Sequence, residues 1–151
     1  MELELRWHKP ISLKPSHERI YTLNEDLIPE QPGIYVFLRV HGKIQEALYV
    51  GKAENLKARL RQQLDTVRLM KGIQNAETGY RRVGFAEFIP KRGQRTKKCL
   101  LMIERAIIRH SLSEGCNLLN KQGTRIANHT ITSVAPPPKR KHFLPKTILF
   151  E

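Results

Sequence analysis

The chain has 151 residues, 40% of them hydrophobic and 27% charged, which is the composition of one globular domain with a real core and not of a disordered segment. Its 27 Lys and Arg against 14 Asp and Glu give a net charge of +13, which favours a polyanionic partner, DNA being the expected one. The longest purely apolar run, Cys99 to Ile103, is five residues, too short for a membrane span, so no membrane partner is expected. The start Met1-Glu2-Leu3-Glu4-Leu5 is acidic and soon meets Trp7, His8 and Pro10, unlike a signal peptide, so a cytoplasmic location is expected.

Residues 1–30 carry alternating stretches, Leu3 to Trp7 and Ile11 to Lys14, broken by Pro10, Pro15 and Pro29. They predict an extra strand or a short helix from Ser16, as a decoration on the main domain. The main domain spans 31–128. It opens with Pro32 and the β-branched and aromatic run Ile34 to Leu38, then the shorter Ala47 to Val50, with His41-Gly42-Lys43 between them. If that turn closes a hairpin, paired residues have numbers summing to about 84. Tyr35 then faces Tyr49, Val36 faces Leu48, and Ile34 faces Val50. One face is aliphatic and the other holds two tyrosines side by side, an odd use of two phenols unless their hydroxyls share a task.

Asn55 is the predicted N-cap of a helix whose apolar face is Leu56, Leu60, Leu64 and Val67, interrupted by Gly72 and Asn75. Val83 to Ile89 predicts a third strand, ended by Pro90. A basic loop follows, with Lys91, Arg92, Arg95, Lys97 and Lys98 as phosphate-binding candidates. A helix is predicted over about Lys97 to Ser111, with Gly115 marking its end. Residues 129–151 form a basic, proline-rich tail around Pro136 to Lys141, whose Ile148-Leu149-Phe150 has the pattern to dock as a strand. Cys99 and Cys116 make no metal-ligating or disulfide pattern and read as two buried thiols.

Glu104 stands out on the last helix. Its neighbours at three and four residues are Leu100, Leu101, Ile107 and Ile108, so its carboxylate projects from the middle of an apolar face, where a charge needs a partner. Taken by itself, the residue reads as half of a buried ion pair with an arginine. Arg59 lies at the edge of the earlier helix's apolar face, placed so that its stem packs and its guanidinium reaches out.

The tripeptides Gly33-Ile34-Tyr35 and Tyr49-Val50-Gly51, at hairpin spacing and followed by Lys52, Asn55 and Arg59, resemble those of the GIY-YIG nuclease superfamily. The stretch Tyr49 to Leu60 is similar to the nuclease domain of the bacterial excision-repair incision subunit, with the likeness dense over 32–64. The resemblance implies a small three-stranded antiparallel sheet flanked by helices, of α+β type. It also implies an endonuclease that hydrolyses DNA phosphodiesters with Mg²⁺ or Mn²⁺. Glu104 becomes the metal ligand, Arg59 the charge clamp, Tyr49 the general base, and Tyr35 the residue that orients water or binds phosphate, with those tyrosine roles exchangeable. Lys52 would bind phosphate or stabilise a phenolate.

Two positions depart from the family pattern. Where many members carry histidine or tyrosine four residues after the arginine, this chain has Gln63, whose amide can hydrogen-bond substrate but cannot exchange a proton near neutrality. Gln63 is therefore expected to contribute little to the chemical step. The asparagine that follows the family's glutamate helix has two counterparts here, Asn117 and Asn120, with Asn120 preferred. The alternative to an endonuclease is a nucleic-acid-binding module with a degenerate nuclease site.

Overall fold

The computed structural model describes residues 2–120, 129–134 and 143–150. Its strands are β1 (Glu2–Trp7), β2 (Ile11–Ser12), β3 (Lys14–Pro15), β4 (Tyr21–Thr22), β5 (Gly33–His41), β6 (Ile44–Ala53), β7 (Tyr80–Ile89), β8 (His129–Val134) and β9 (Thr147–Phe150). The helices are α1 (Leu56–Leu64), α2 (Val67–Gln74) and α3 (Thr96–Ser113).

The expectation of a small three-stranded antiparallel sheet is corrected: β6, β5 and β7 are three neighbouring strands of a larger mixed sheet. One seven-stranded mixed sheet runs in the order β6-β5-β7-β1-β8-β9, with β2 also paired to β7. The N-terminal strand is an interior strand: β1 pairs antiparallel with β7 and parallel with β8. Its alternation sets the face it buries, with Leu3, Leu5 and Trp7 buried while Glu2 and Arg6 point out. Its second neighbour, β8, comes from near the other end of the sequence. The run Ile148 to Phe150 does dock as a strand, antiparallel to β8, while the basic segment Pro136 to Lys141 lies outside the described residues.

The sheet is covered on both faces. Under α3 lies an aliphatic core built from Leu3, Leu5, Ile34, Val36, Leu38, Val50, Ala86 and Phe88, met by Leu100, Ile103 and Ile107. On the opposite face α1 and α2 cover Tyr35, Phe37, Val83 and Phe85 with Leu56, Leu60, Leu64, Met70 and Ile73. Period-two alternation in β5 and β7 thus feeds two separate cores, and this is why the interior of β5 reads as a continuous apolar run.

Several local expectations are corrected. The hairpin register is shifted, with Tyr35 opposite Gly51, Val36 opposite Val50 and Phe37 opposite Tyr49, so the two tyrosines are diagonal neighbours. Past Phe37 the pairing slips by one, Leu38 lying opposite Ala47, and Leu48 is the extra residue of a β-bulge. The bulge lets Leu48 and Tyr49 both join the core under α1, which strict alternation forbids. The turn itself is two residues, Gly42 and Lys43, with Gly42 at φ +61, as a tight hairpin turn requires. Val67 does not continue the α1 face: the helix stops at Leu64, a second one starts at Val67, and that side chain is exposed. The segment from Ser16 is a bend with no helix, and Cys116 is half-buried where burial was expected.

Two glycines permit close approaches of β5, one to β7 and one to β6. A Cβ on Gly33 would lie 1.9 Å from the carbonyl oxygen of Ala86 on β7, and a Cβ on Gly51 would lie 2.2 Å from Cζ of Tyr35. The first obstacle is backbone held in the β5–β7 ladder and the second is a side chain. Gly33→Ala is therefore expected to destabilise more than Gly51→Ala, whose cost is about 1–3 kcal/mol. Urea midpoints of the two variants check the order, and an equal or reversed order would show that the Tyr35 ring is held more rigidly than the ladder.

Candidate functional site

The β6 strand is one edge of the sheet, and its final residues run directly into α1. Asn55 caps that helix as expected, its Oδ1 accepting from the Ala58 N–H at 3.0 Å, and the Leu56 N–H donates to the Gln31 carbonyl at 2.9 Å. Along this edge a cleft of about 570 Å³ opens, lined by Tyr35, Tyr49, Lys52, Arg59, Lys97 and Glu104 among others. It straddles the sheet edge: the tyrosines and Arg59 come from the α1 side, Lys52 and Glu104 from the α3 side. Residues far apart in sequence, on β5, β6, α1 and α3, are brought to one opening.

The tyrosine pair forms the back wall. The rings lie 6.2 Å apart between centroids at an interplanar angle of 20°. Tyr35 is 1% exposed and its ring crosses the bare Cα of Gly51, whereas Tyr49 is only partly buried. Burial pushes the Tyr35 phenol up to about 12, against the pull of a hydrogen bond from Gln63 and of the Arg59 charge. Tyr35 is consequently a neutral hydroxyl at any physiological pH.

Glu104 faces them from α3. It sits at the edge of the buried stripe of that helix and not at its middle, with Leu100, Ile107 and Ile108 buried around it and Leu101 partly exposed. Burial raises its carboxyl, opposed by the Lys52 charge, a hydrogen bond from the Lys52 backbone, and the Arg105 and Arg59 charges. Among the described residues no cation comes within ion-pair distance of it, in contrast with Arg39, which is buried against Glu46 at 2.6 Å. The carboxylate thus opens into the cleft with a cost of burial that the Lys52 backbone hydrogen bond and the nearby cations offset only in part.

Among the described residues no group of three or more His, Cys, Asp or Glu side chains is assembled. The second carboxylate on the cleft, Glu54, is on the rim with Lys97 at 4.0 Å. One carboxylate beside a wide polar opening suits a hard cation that keeps most of its water, as Mg²⁺ or Mn²⁺ does.

The other candidates divide. Lys97 lines the cleft, while Lys91 is drawn away by an ion pair with Glu2 of β1. Arg92, Arg95 and Lys98 are exposed on the loop and the first turn of α3. The Arg59 guanidinium donates to Gln62 Oε1 at 2.8 Å. Asn117 is exposed, its backbone N–H directed at Glu46 Oε1 at 3.4 Å, away from the cleft. Gln63 is 5% exposed and lies behind the tyrosines, outside the lining.

Asn120 does a structural job that spacing alone does not reveal. Its Oδ1 accepts from the Val50 N–H at 3.1 Å and its Nδ2 donates to the Val50 carbonyl at 2.6 Å. Beside it the Leu119 N–H donates to the carbonyl of the bulged Leu48 at 2.7 Å. The segment after α3 thereby covers the outward backbone groups of β6, which an open edge would leave to solvent or to another chain.

Two outcomes follow. Asn120→Ala leaves the Val50 N–H and C=O without partners and is expected to cost about 1–3 kcal/mol in thermal unfolding with neither metal nor DNA present; an unchanged midpoint would return Asn120 to a substrate-binding role. Because folding raises the Tyr35 phenol from 10.0 to about 12, the unfolded chain ionises first as pH rises, and stability is lost between those values. Tyr35→Phe should remove that part of the alkaline loss, which thermal melts from pH 9 upward would read.

Comparison of the chain with protein-family models, with curated proteins and with solved structures finds no match in any of the three.

Proposed function

We propose that the chain is a metal-dependent DNA endonuclease of the GIY-YIG type, hydrolysing phosphodiester bonds in the cleft along the β6 edge. The observation that carries this reading is the convergence of Tyr35, Tyr49, Arg59 and Lys52 on one opening with the carboxylate of Glu104, which among the described residues makes no ion pair. A purely structural carboxylate would have acquired an ion-pair partner, and a simple polyanion-binding surface gains nothing from one.

The residues divide the work as follows. Glu104 would hold Mg²⁺ or Mn²⁺, which supplies Lewis acidity at the phosphate oxygens when bound. Arg59 and Lys52 offset the negative charge that develops on phosphorus oxygens in the transition state. Tyr35, neutral and buried, donates a hydrogen bond. Tyr49, the more exposed phenol, is assigned the base: as a phenolate, with Lys52 and Arg59 as the cations near the opening, it would take the proton of the attacking water and become the neutral phenol. Lys97 and the exposed Arg92, Arg95 and Lys98 continue the positive surface beyond the cleft, where duplex backbone contacts would add affinity without reading sequence.

A nucleic-acid-binding module with a degenerate site is the second reading, favoured by Gln63 in place of a proton carrier. Glu104→Gln separates the two. In an endonuclease the change abolishes Mg²⁺-dependent cleavage while the chain stays folded and binds duplex DNA as well as before or better. Cleavage by the variant at the rate of the unaltered chain would overturn the catalytic assignment. An unaltered chain that binds DNA tightly yet cuts no single-stranded, duplex, flap or branched substrate with Mg²⁺ or Mn²⁺ would leave the binding module.

A further inference from the structure

Gln63 is a polar side chain on the inner face of α1, between Leu60 and Leu64 and 5% exposed. A buried amide is costly unless its donors and acceptor are satisfied, so its partners reveal what it is for. Its Nε2 donates to Tyr35 Oη at 2.7 Å and reaches Tyr49 Oη at 3.4 Å, and its Oε1 accepts from Thr66 Oγ1 at 3.3 Å. One amide nitrogen, with two protons, is therefore shared between the two phenol oxygens that form the back of the cleft.

The direction of these bonds has a chemical consequence. A phenol oxygen that accepts from an amide cannot spend its own proton on the same group, so that proton must turn elsewhere. For Tyr35 the ring is pinned across Gly51, its hydroxyl also accepts a hydrogen bond from Arg59, and Tyr35, Gly51 and Arg59 all line the cleft. A histidine in place of Gln63 could instead accept from Tyr35 through a ring nitrogen and draw the proton back into the protein.

We propose that Gln63 is a positioning residue: by donating to Tyr35 Oη, its amide turns the Tyr35 hydroxyl proton into the cleft, where it is presented to an oxygen of the scissile phosphate. The same amide spans to Tyr49 and holds the two rings in a fixed relation. The phosphate as recipient rests on the endonuclease reading, whereas the orientation of the hydroxyl does not. Glutamine here is thus the group that makes Tyr35 a donor toward substrate, a role that its inability to exchange protons suits.

The test uses two variants of the full chain. Gln63→Glu keeps the shape but replaces the donor by an acceptor, so the Tyr35 proton turns inward to the carboxylate. Gln63→Leu removes both functions and serves if the glutamate variant does not fold. In contrast with the small contribution expected of an amide that cannot exchange a proton, with duplex DNA and Mg²⁺ each variant is expected to lower kcat by about a hundredfold, the effect of losing one donor to developing charge, while KM stays unchanged. In parallel, tyrosines labelled with ¹³C at Cζ report the hydrogen-bonding state of each phenol without metal or DNA, the Tyr35 signal being assigned by its absence in Tyr35→Phe. That signal should move in both variants while the thermal midpoint shows a folded protein. Folded variants with unchanged kcat, or a Tyr35 signal that stays in place, would overturn the proposal. If the unaltered chain cuts no DNA, the endonuclease reading fails and the Cζ signal alone decides the orientation.

Discussion

The arrangement of this protein depends on one close approach, the Tyr35 ring lying across Gly51 on the neighbouring strand. A side chain at 51 would lift the ring and open the wall of the cleft. Because the position is bare, the aromatic plane sits flat on the hairpin, with Tyr49 almost parallel beside it and Gln63 beneath both hydroxyls. The shifted register serves this contact. Had Tyr35 stood directly opposite Tyr49, the two rings would have competed for the space that Gly51 leaves vacant.

A second constraint acts at the sheet edge. The β6 strand carries the lining of the cleft and is also a terminal strand, which is the place where unpaired backbone groups invite association. Asn120 and Leu119 close part of that edge through Val50 and Leu48. The segment that follows α3 therefore supports the site from outside, while α1 supports it from the core. The bulge at Leu48 belongs to the same device, since it bends the strand where the covering segment attaches and re-aims Tyr49.

The electrostatics divide between the rim and the interior. Lys97 and the exposed basic residues of the loop give a diffuse positive surface suited to a polyanion, while the interior holds a neutral phenol and a carboxylate raised by burial. Lys52 joins the two, acting on Glu104 while lining the opening. Such a division lets long-range attraction act through water and leaves the short-range chemistry to groups whose ionisation the fold has already set.

The amino-acid sequence by itself determined what local contacts determine. A turn at Gly42, the Asn55 cap, the α3 span ending before Gly115 and the presence of both tyrosines on one hairpin face are consequences of φ preferences, capping and period, all set within a few residues. Glu104 could be singled out because a charge is costly on an apolar helix face, whereas Gly33, Gly51 and Arg59 are singled out by the resemblance of the motif they belong to. The strand register, the size of the sheet and the partners of Gln63 and Asn120 were decided only by tertiary structure. A sheet register depends on how the bulge at Leu48 is absorbed against β5. The insertion of β1 between β7 and β8 depends on pairing with both a strand from the middle of the chain and one from near its end. Asn120 finds Val50 across 70 residues, and Gln63 finds Tyr35 across 28, and no periodicity announces either bond. Buried polar groups take whatever partner the packing brings, so their roles become legible only once the packing is known.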